Sequence, residues 1–295
     1  MSMLAVQDGP NPHLFYLFVT EPEPGLSIPG SSVIYACGLP EGEWVQNWPA
    51  AAAPPNYLSM ITCQSGPDPH LFGLDFENNL WAIGLTGANP EWVQNWPSAA
   101  PADFNSIAAT GGDTPYFFGK DYGGTIYSLD LTTGVWSDSW PGKTSSSWIP
   151  ETYIAAQNPP SPHLFVYSII PAFMGNPASY FNSVCDIPSG TWYGGWLGLG
   201  ELDQLATIAT DGSRPLAGLN GGDLQVATFD GSGPVSWTKW AQPGGVFTSL
   251  DFITAQGGPD AHIFGIDNDG NLWAIGYPTG SWVQNWPAPL PYVGP

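Results

Sequence analysis

The sequence predicts an all-β chain, a six-bladed β-propeller of four-stranded antiparallel blades. Three observations predict it: a long internal repeat, four short strand-like runs in each repeat, and turn residues too frequent for helices. Residues 66–97, GPDPHLFGLDFENNLWAIGLTGANPEWVQNWP, return at 258–287 as GPDAHIFGIDNDGNLWAIGYPTGSWVQNWP. Following the closing tryptophan pair along the chain gives Trp44/Trp48, Trp92/Trp96, Trp136/Trp140, Trp192/Trp196, Trp237/Trp240 and Trp282/Trp286. Their first members lie 48, 44, 56, 45 and 45 residues apart, the length of one propeller blade. With 37 Gly and 32 Pro in 295 residues, no apolar stripe of helical period survives. Residues 1–295 are expected to form one domain, with blades at approximately 1–56, 57–102, 103–148, 149–202, 203–247 and 248–295.

The second unit shows the four runs as Ile61–Gln64, His70–Asp75, Leu80–Gly84 and Trp92–Trp96, and the last unit repeats them at Ile253–Gln256, His262–Asp267, Leu272–Gly276 and Trp282–Trp286. Blades converge on an axis, so the run with the smallest side chains belongs innermost. That run is the first in every unit: Leu4–Gln7, Ile61–Gln64, Ile107–Thr110, Ile154–Gln157, Ile208–Asp211 and Ile253–Gln256. The bulky fourth run belongs at the rim, where its indoles cover the faces between blades. Strand alternation then sets Met60, Ser106, Tyr153, Thr207 and Phe252 at one end of a central channel, and Gln64, Thr110, Gln157, Asp211 and Gln256 at the other. One end is mixed and aromatic, the other a polar ring, the make-up of a small-molecule pocket.

Four Lys plus Arg against 25 Asp plus Glu give a formal charge of -21, which repels nucleic acid and anionic membrane surfaces. No apolar run approaches the roughly 18 residues of a membrane helix, and the first residues carry no signal-peptide pattern. The expectation is a soluble chain whose compartment is unread, although scarce lysine with abundant Gly, Pro, Trp and Asn is a composition of secreted proteins. Cys37, Cys63 and Cys185 lack metal-site or disulfide spacing and read as small buried hydrophobes. No Asn-x-Ser/Thr sequon occurs.

His13, His70, His163 and His262 share one repeat position, so they read as structural, since catalysis needs one site rather than four equivalent ones. Asp267-Asn268-Asp269-Gly270-Asn271, echoed by Asp75, Glu77 and Asn79, spaces oxygens as calcium loops do but also signals a hairpin turn, which is the favoured reading. Nucleophile elbows, phosphate loops and zinc-protease spacing are missing, and neither cofactor nor metal is expected. Lys120 stands where sister units place Leu17, Leu74, Leu219 and Ile266, and Arg214 stands where the second unit has Pro69. Each pairs with a carboxylate or polarises a ligand oxygen.

The unit H-[LI]-F-G-[LI]-D-x-x-x-N-L-W-A-I-G…W-V-Q-N-W resembles the repeat of tandem-repeat propeller lectins of the bacterial PLL type, in the whole architecture and, in detail, in units one, two and six. The resemblance implies sugar binding, but no polar cluster recurs in all six units, so that family's sites do not carry over residue by residue. A looser resemblance, that of an acidic, aromatic-rich propeller, is to fungal hetero-Diels–Alderases of tropolone sesquiterpene biosynthesis. It implies a cofactor-free cycloaddition driven by orientation in a shaped pocket. The leading expectation is such a cyclase, with Tyr153, Phe252 and Met60 as the wall, Gln64, Gln157 and Gln256 holding ligand oxygens, and Lys120 or Arg214 polarising a carbonyl. The alternative is a lectin without enzymatic activity, in which Trp81, Trp273 or the rim pairs stack on sugars and Asp75 and Asp267 hold hydroxyls.

Overall fold

A computed structural model describes the chain except residues 1, 21–30, 51–56, 88–89, 140–150, 160–161, 171–178, 198–201, 209–214, 230–233, 241–249 and 292–295. Among the described residues there are 24 strands and no helix, in six four-stranded antiparallel sheets. Each sheet is a contiguous stretch of chain whose strands pair in sequence order, and each falls inside one of the six repeat units. The innermost strands are β1 (Ser2–Gln7), β5 (Leu58–Gln64), β9 (Phe104–Thr110), β13 (Glu151–Ala156), β17 (Gln204–Thr207) and β21 (Leu250–Gln256). Each touches its two counterparts round the ring, and β1 against β21 closes it without exchanging a strand between the ends.

The spaces between blades hold the core. One apolar cluster joins blades one and two around Phe15, Ile34, Ile61 and Leu71, with Trp48 and Trp92 packed against it. Others join blades two and three around Phe72, Phe104 and Phe117, and five and six around Leu219, Leu224 and Ile263. At the seam, Tyr16 and Leu14 of the first blade meet Phe264 and Ile266 of the last, and the Trp44 indole donates to the Ala288 carbonyl at 3.2 Å. The rim tryptophans thus cement neighbouring blades, as bulky rings do where radial sheets splay apart.

Three local motifs explain the repeat. In the Trp-Val-Gln-Asn-Trp-Pro units, Asn47, Asn95 and Asn285 adopt positive φ near +60°, which asparagine tolerates. This turn swings the second indole back onto the repeat histidine: Trp48 on His13 at 4.1 Å, Trp96 on His70 at 4.4 Å and Trp286 on His262 at 4.6 Å. In D-x-x-x-N-L-W, Asp75 accepts backbone N–H bonds from Glu77 and Asn79 and takes the Trp81 indole N–H at 2.9 Å. Asp267 repeats this with Asp269, Asn271 and Trp273. The third unit keeps the device with other atoms, Thr125 N–H and the Tyr127 hydroxyl on Asp121.

The third motif corrects the reading of the fifth unit, whose first strand is Gln204–Thr207 and not Ile208–Asp211. Gly218 faces Leu205 across the ladder just as Gly73 faces Ile61 and Gly265 faces Ile253. A side chain on any of these glycines would strike the anchor three residues before its partner: Leu202 at 3.0 Å, Leu58 at 2.6 Å and Leu250 at 2.9 Å. The anchor sets the register, so Gln204 rather than Thr207 joins the mixed ring and Ile208 stands at the level of the polar one, while Asp211 lies outside the described residues. All three cysteines are free and buried, with burial pushing the Cys37 thiol up to about 11 and Cys185 to about 12.

Candidate functional site

A channel of about 760 Å³ runs along the axis, lined by all six innermost strands. Its width follows from side-chain size: one level below the mouth stand Ala5, Thr62, Ala108, Ala155, Ala206 and Thr254. Each lining strand pairs on one side only, so its other edge turns toward the channel or the next blade. Neighbouring blades satisfy part of that edge. Ser106 Oγ accepts the Ile154 N–H at 3.2 Å, Gln204 Oε1 accepts the Ile253 N–H at 2.9 Å, and the Thr207 hydroxyl donates to Ala156 O at 2.7 Å.

The channel is stopped at one end. Past the innermost strands Asp8 of the first blade meets Asn158 of the fourth, directly opposite, with Asn158 Nδ2 donating to Asp8 Oδ2 at 2.6 Å. A bond between opposite blades crosses the axis. Gly257 N–H donates to the other carboxylate oxygen at 2.7 Å, and the Ser65 hydroxyl oxygen accepts from Asp8 N and from Asn158. Asn158 Oδ1 takes the Gly111 N–H at 2.8 Å, so five blades share one polar floor. Burial pushes the Asp8 carboxyl above the usual range, with the Gly257 and Asn158 donors pulling it back.

The predicted polar ring lies beside this floor and is buried. Gln64 Oε1 bonds the His70 ring at 3.2 Å, Gln157 Nε2 donates to Ile208 O at 3.1 Å, and Gln256 is 7% exposed. None of the three glutamines lines the channel.

The other end is an open mouth. Met60, Tyr153, Gln204 and Phe252 line it, and Tyr153 is 38% exposed. Phe76, at the tip of the hairpin between β6 (His70–Asp75) and β7 (Leu80–Gly84), adds a ring 58% exposed, stacked on Tyr57 at 4.2 Å. Three β-bulges sit at this end, where the ladder skips Ser59, Asn105 and Asp251. A bulge re-aims its extra side chain, and all three of these residues line the channel. The mouth therefore combines aromatic faces with a hydroxyl, an amide and a carboxylate from blades two, three and six.

The remaining candidates lie elsewhere. Lys120 is 1% exposed and sits behind the wall, its Nζ donating to Asn105 Oδ1 at 3.2 Å and to Asp121 O at 3.0 Å. Trp81 and Trp273 are engaged with Asp75 and Asp267 inside their blades, with Trp81 7% exposed. Arg214 lies outside the described residues. Sequence reasoning missed Asp8, Asn158, Phe76 and the bulge residues. For all but Phe76 the signal was a small polar residue just outside an innermost run.

No protein-family model and no curated protein sequence matches the chain. Solved structures do. The Aleuria aurantia lectin with α-methyl-L-fucoside superposes with a TM-score of 0.65 at 17% identity, over 100% of this chain and 96% of that one. The chain shares the six-bladed propeller fold of that lectin. A variant of AofleA from Arthrobotrys oligospora with three arginines replaced by alanine gives 0.65 at 15% identity, over 96% and 84%. The SapL1 lectin with α-methyl fucoside gives 0.63 at 16%, over 98% and 96%. These likenesses bear on the propeller's architecture, which they match from first blade to last.

Proposed function

We propose that the protein is a lectin-like propeller that takes one neutral sugar at the mouth of its axial channel. The observation that carries this reading is the set of three bulges that turn Ser59, Asn105 and Asp251 into the mouth that also holds Tyr153, Phe252 and Phe76. A pyranose offers an apolar face for stacking and hydroxyls that both donate and accept, so aromatic rings beside an amide and a carboxylate match it. The charge of -21 disfavours anionic sugars. Two of the neighbouring structures are lectins in complex with fucosides, which supports the sugar class. AofleA was solved with three arginines replaced, whereas this chain has Arg214 as its one arginine, so no arginine set repeated round the ring is available here.

A glycan array followed by titration calorimetry tests the reading, with one site per chain as the expected stoichiometry. Tyr153→Ala should weaken binding about tenfold, ~1.4 kcal/mol, and leave the melting temperature nearly unchanged, because the ring is partly exposed. Several equivalent sites per chain would move the reading to the rim tryptophans, and no glycan bound would end it.

A second reading, the cofactor-free cyclase, draws on the unrepeated wall of Met60, Tyr153 and Phe252. It lacks a polarising cation among the described lining residues, since Lys120 stands behind Asn105. Product formation from an apolar, aromatic-bearing polyene substrate, abolished by Phe252→Ala, is the outcome that would favour it.

A further inference from the structure

Lys120 is the buried charge that the repeat does not explain. Its sisters across the ladder from the mouth ring are Leu17, Leu74, Tyr167, Leu219 and Ile266. The described ion pairs are His163–Asp186 and Lys239–Asp223, and Lys120 belongs to neither. Its ammonium is held by two neutral oxygens, and one of them, Asn105 Oδ1, belongs to a bulge residue lining the channel. Burial pushes the lysine below its usual range, with the Asp121 carboxylate opposing. A charge kept at that cost, in one blade of six, needs a reason.

The reason lies in the amide. An asparagine can present either its oxygen or its NH₂ to a ligand, and nothing in its shape decides which. An ammonium only donates, so Lys120 fixes the oxygen inward. With Oδ1 taken by Lys120, Nδ2 is the end of the amide left for the channel that Asn105 lines. Gln204, the amide on an innermost strand at this level, cannot serve, because its Oε1 takes the Ile253 N–H while its Nε2 donates to Asp251 O at 2.9 Å. Three blades away, hence across the mouth, Asp251 offers a carboxylate, an acceptor when ionised.

We infer that Asn105, held by Lys120, sets the specificity of the mouth by donating through Nδ2 to an acceptor oxygen of the ligand, while Asp251 opposite receives the ligand's hydroxyls. This rests on the sugar reading and deepens it: the ligand lies across the mouth with an ether, carbonyl or hydroxyl oxygen toward blade three and a donating edge toward blade six. Asn105 is the contacting residue and Lys120 its positioning residue.

The test uses the full chain and methyl glycosides of fucose, galactose, mannose and N-acetylglucosamine, titrated into wild type, Tyr153→Ala, Asn105→Asp and Lys120→Leu. Asn105→Asp keeps an oxygen for Lys120 but turns an acceptor toward the ligand in place of the donor. It should lose at least tenfold in affinity at unchanged or raised melting temperature, since a buried charge gains its counter-ion. Lys120→Leu restores the sister residue. It should keep or raise the melting temperature while frees the amide to flip, cutting the best-to-worst affinity ratio among the four glycosides at least threefold. The Asn105 side-chain NH₂ resonances in ¹⁵N-labelled wild type should shift on addition of the best glycoside.

Wild-type binding lost in Tyr153→Ala but untouched in Asn105→Asp and Lys120→Leu, with unmoved Asn105 resonances, would overturn this inference and leave the sugar reading standing. Failure of all four glycosides to bind wild type would overturn both.

Discussion

Gly111→Ala should produce the largest loss of stability of any single methyl added to this chain's described glycines. Its new Cβ would lie 1.5 Å from Ser65 O, a backbone atom of the neighbouring blade, with Ser65 C at 2.3 Å. No rotamer change relieves a clash with backbone, so β5 and β9 must separate by roughly 2 Å to restore an ordinary contact. That movement also breaks the Gly111 N–H bond to Asn158 Oδ1 and, through Asn158, disturbs Asp8 and Ser65. Overpacking of this kind with a lost buried hydrogen bond costs about 3 kcal/mol or more. For a chain of this size the melting temperature should fall by about 6–10 °C, measured by circular dichroism. A fall under about 1 °C would show that the floor is loosely packed, contrary to the close approach described.

Asp8→Ala should come second. It removes the acceptor from Gly257 N–H and from Asn158 Nδ2, cutting the link from the first blade to the last and to the blade opposite. Leaving two buried donors without these acceptors costs about 2–4 kcal/mol. The pH dependence carries a sign. The native pKa is raised above that of the unfolded chain, so between the two the native state binds more protons and Asp8's contribution falls as pH rises. The gap between wild type and Asp8→Ala should therefore be widest in acid, below the unfolded aspartate pKa near about 3.9, and narrow toward neutrality. Urea titrations of both proteins across that range read the gap directly. A gap widening with pH would mean that the two N–H donors outweigh burial at this carboxyl.

The sheets were legible because they are periodic: the tryptophan pairs counted the blades, and the small residues of Ile107–Thr110 and Ile154–Gln157 marked the inner edge. The fifth unit misled because Ile208-Ala209-Thr210 mimics Ile107-Ala108-Ala109 in order of size. The deciding residue was Leu202, whose packing under Gly218 is a tertiary contact and has no period. The floor and the mouth were harder to read for the same reason. Asp8 acquires its role from Asn158, 150 residues away, and a bulge such as that at Asn105 adds one residue without breaking the apolar pattern around it. Met60, Tyr153 and Phe252 fell at the open end as the alternation required. The glutamines kept their ring but sank behind the floor, because the residue following each of them reaches the axis first.

The junction of first and last blades has a shared apolar filling, an indole lid and a reach across to the neighbour's main chain, as the junction of blades one and two has its own filling and indoles. Among the described residues no strand is borrowed to lock it. Covalent continuity is therefore incidental at this seam, which is held by lateral adhesion and by the floor across the axis, and the chain's ends could be moved to another inter-blade link without changing which surfaces meet.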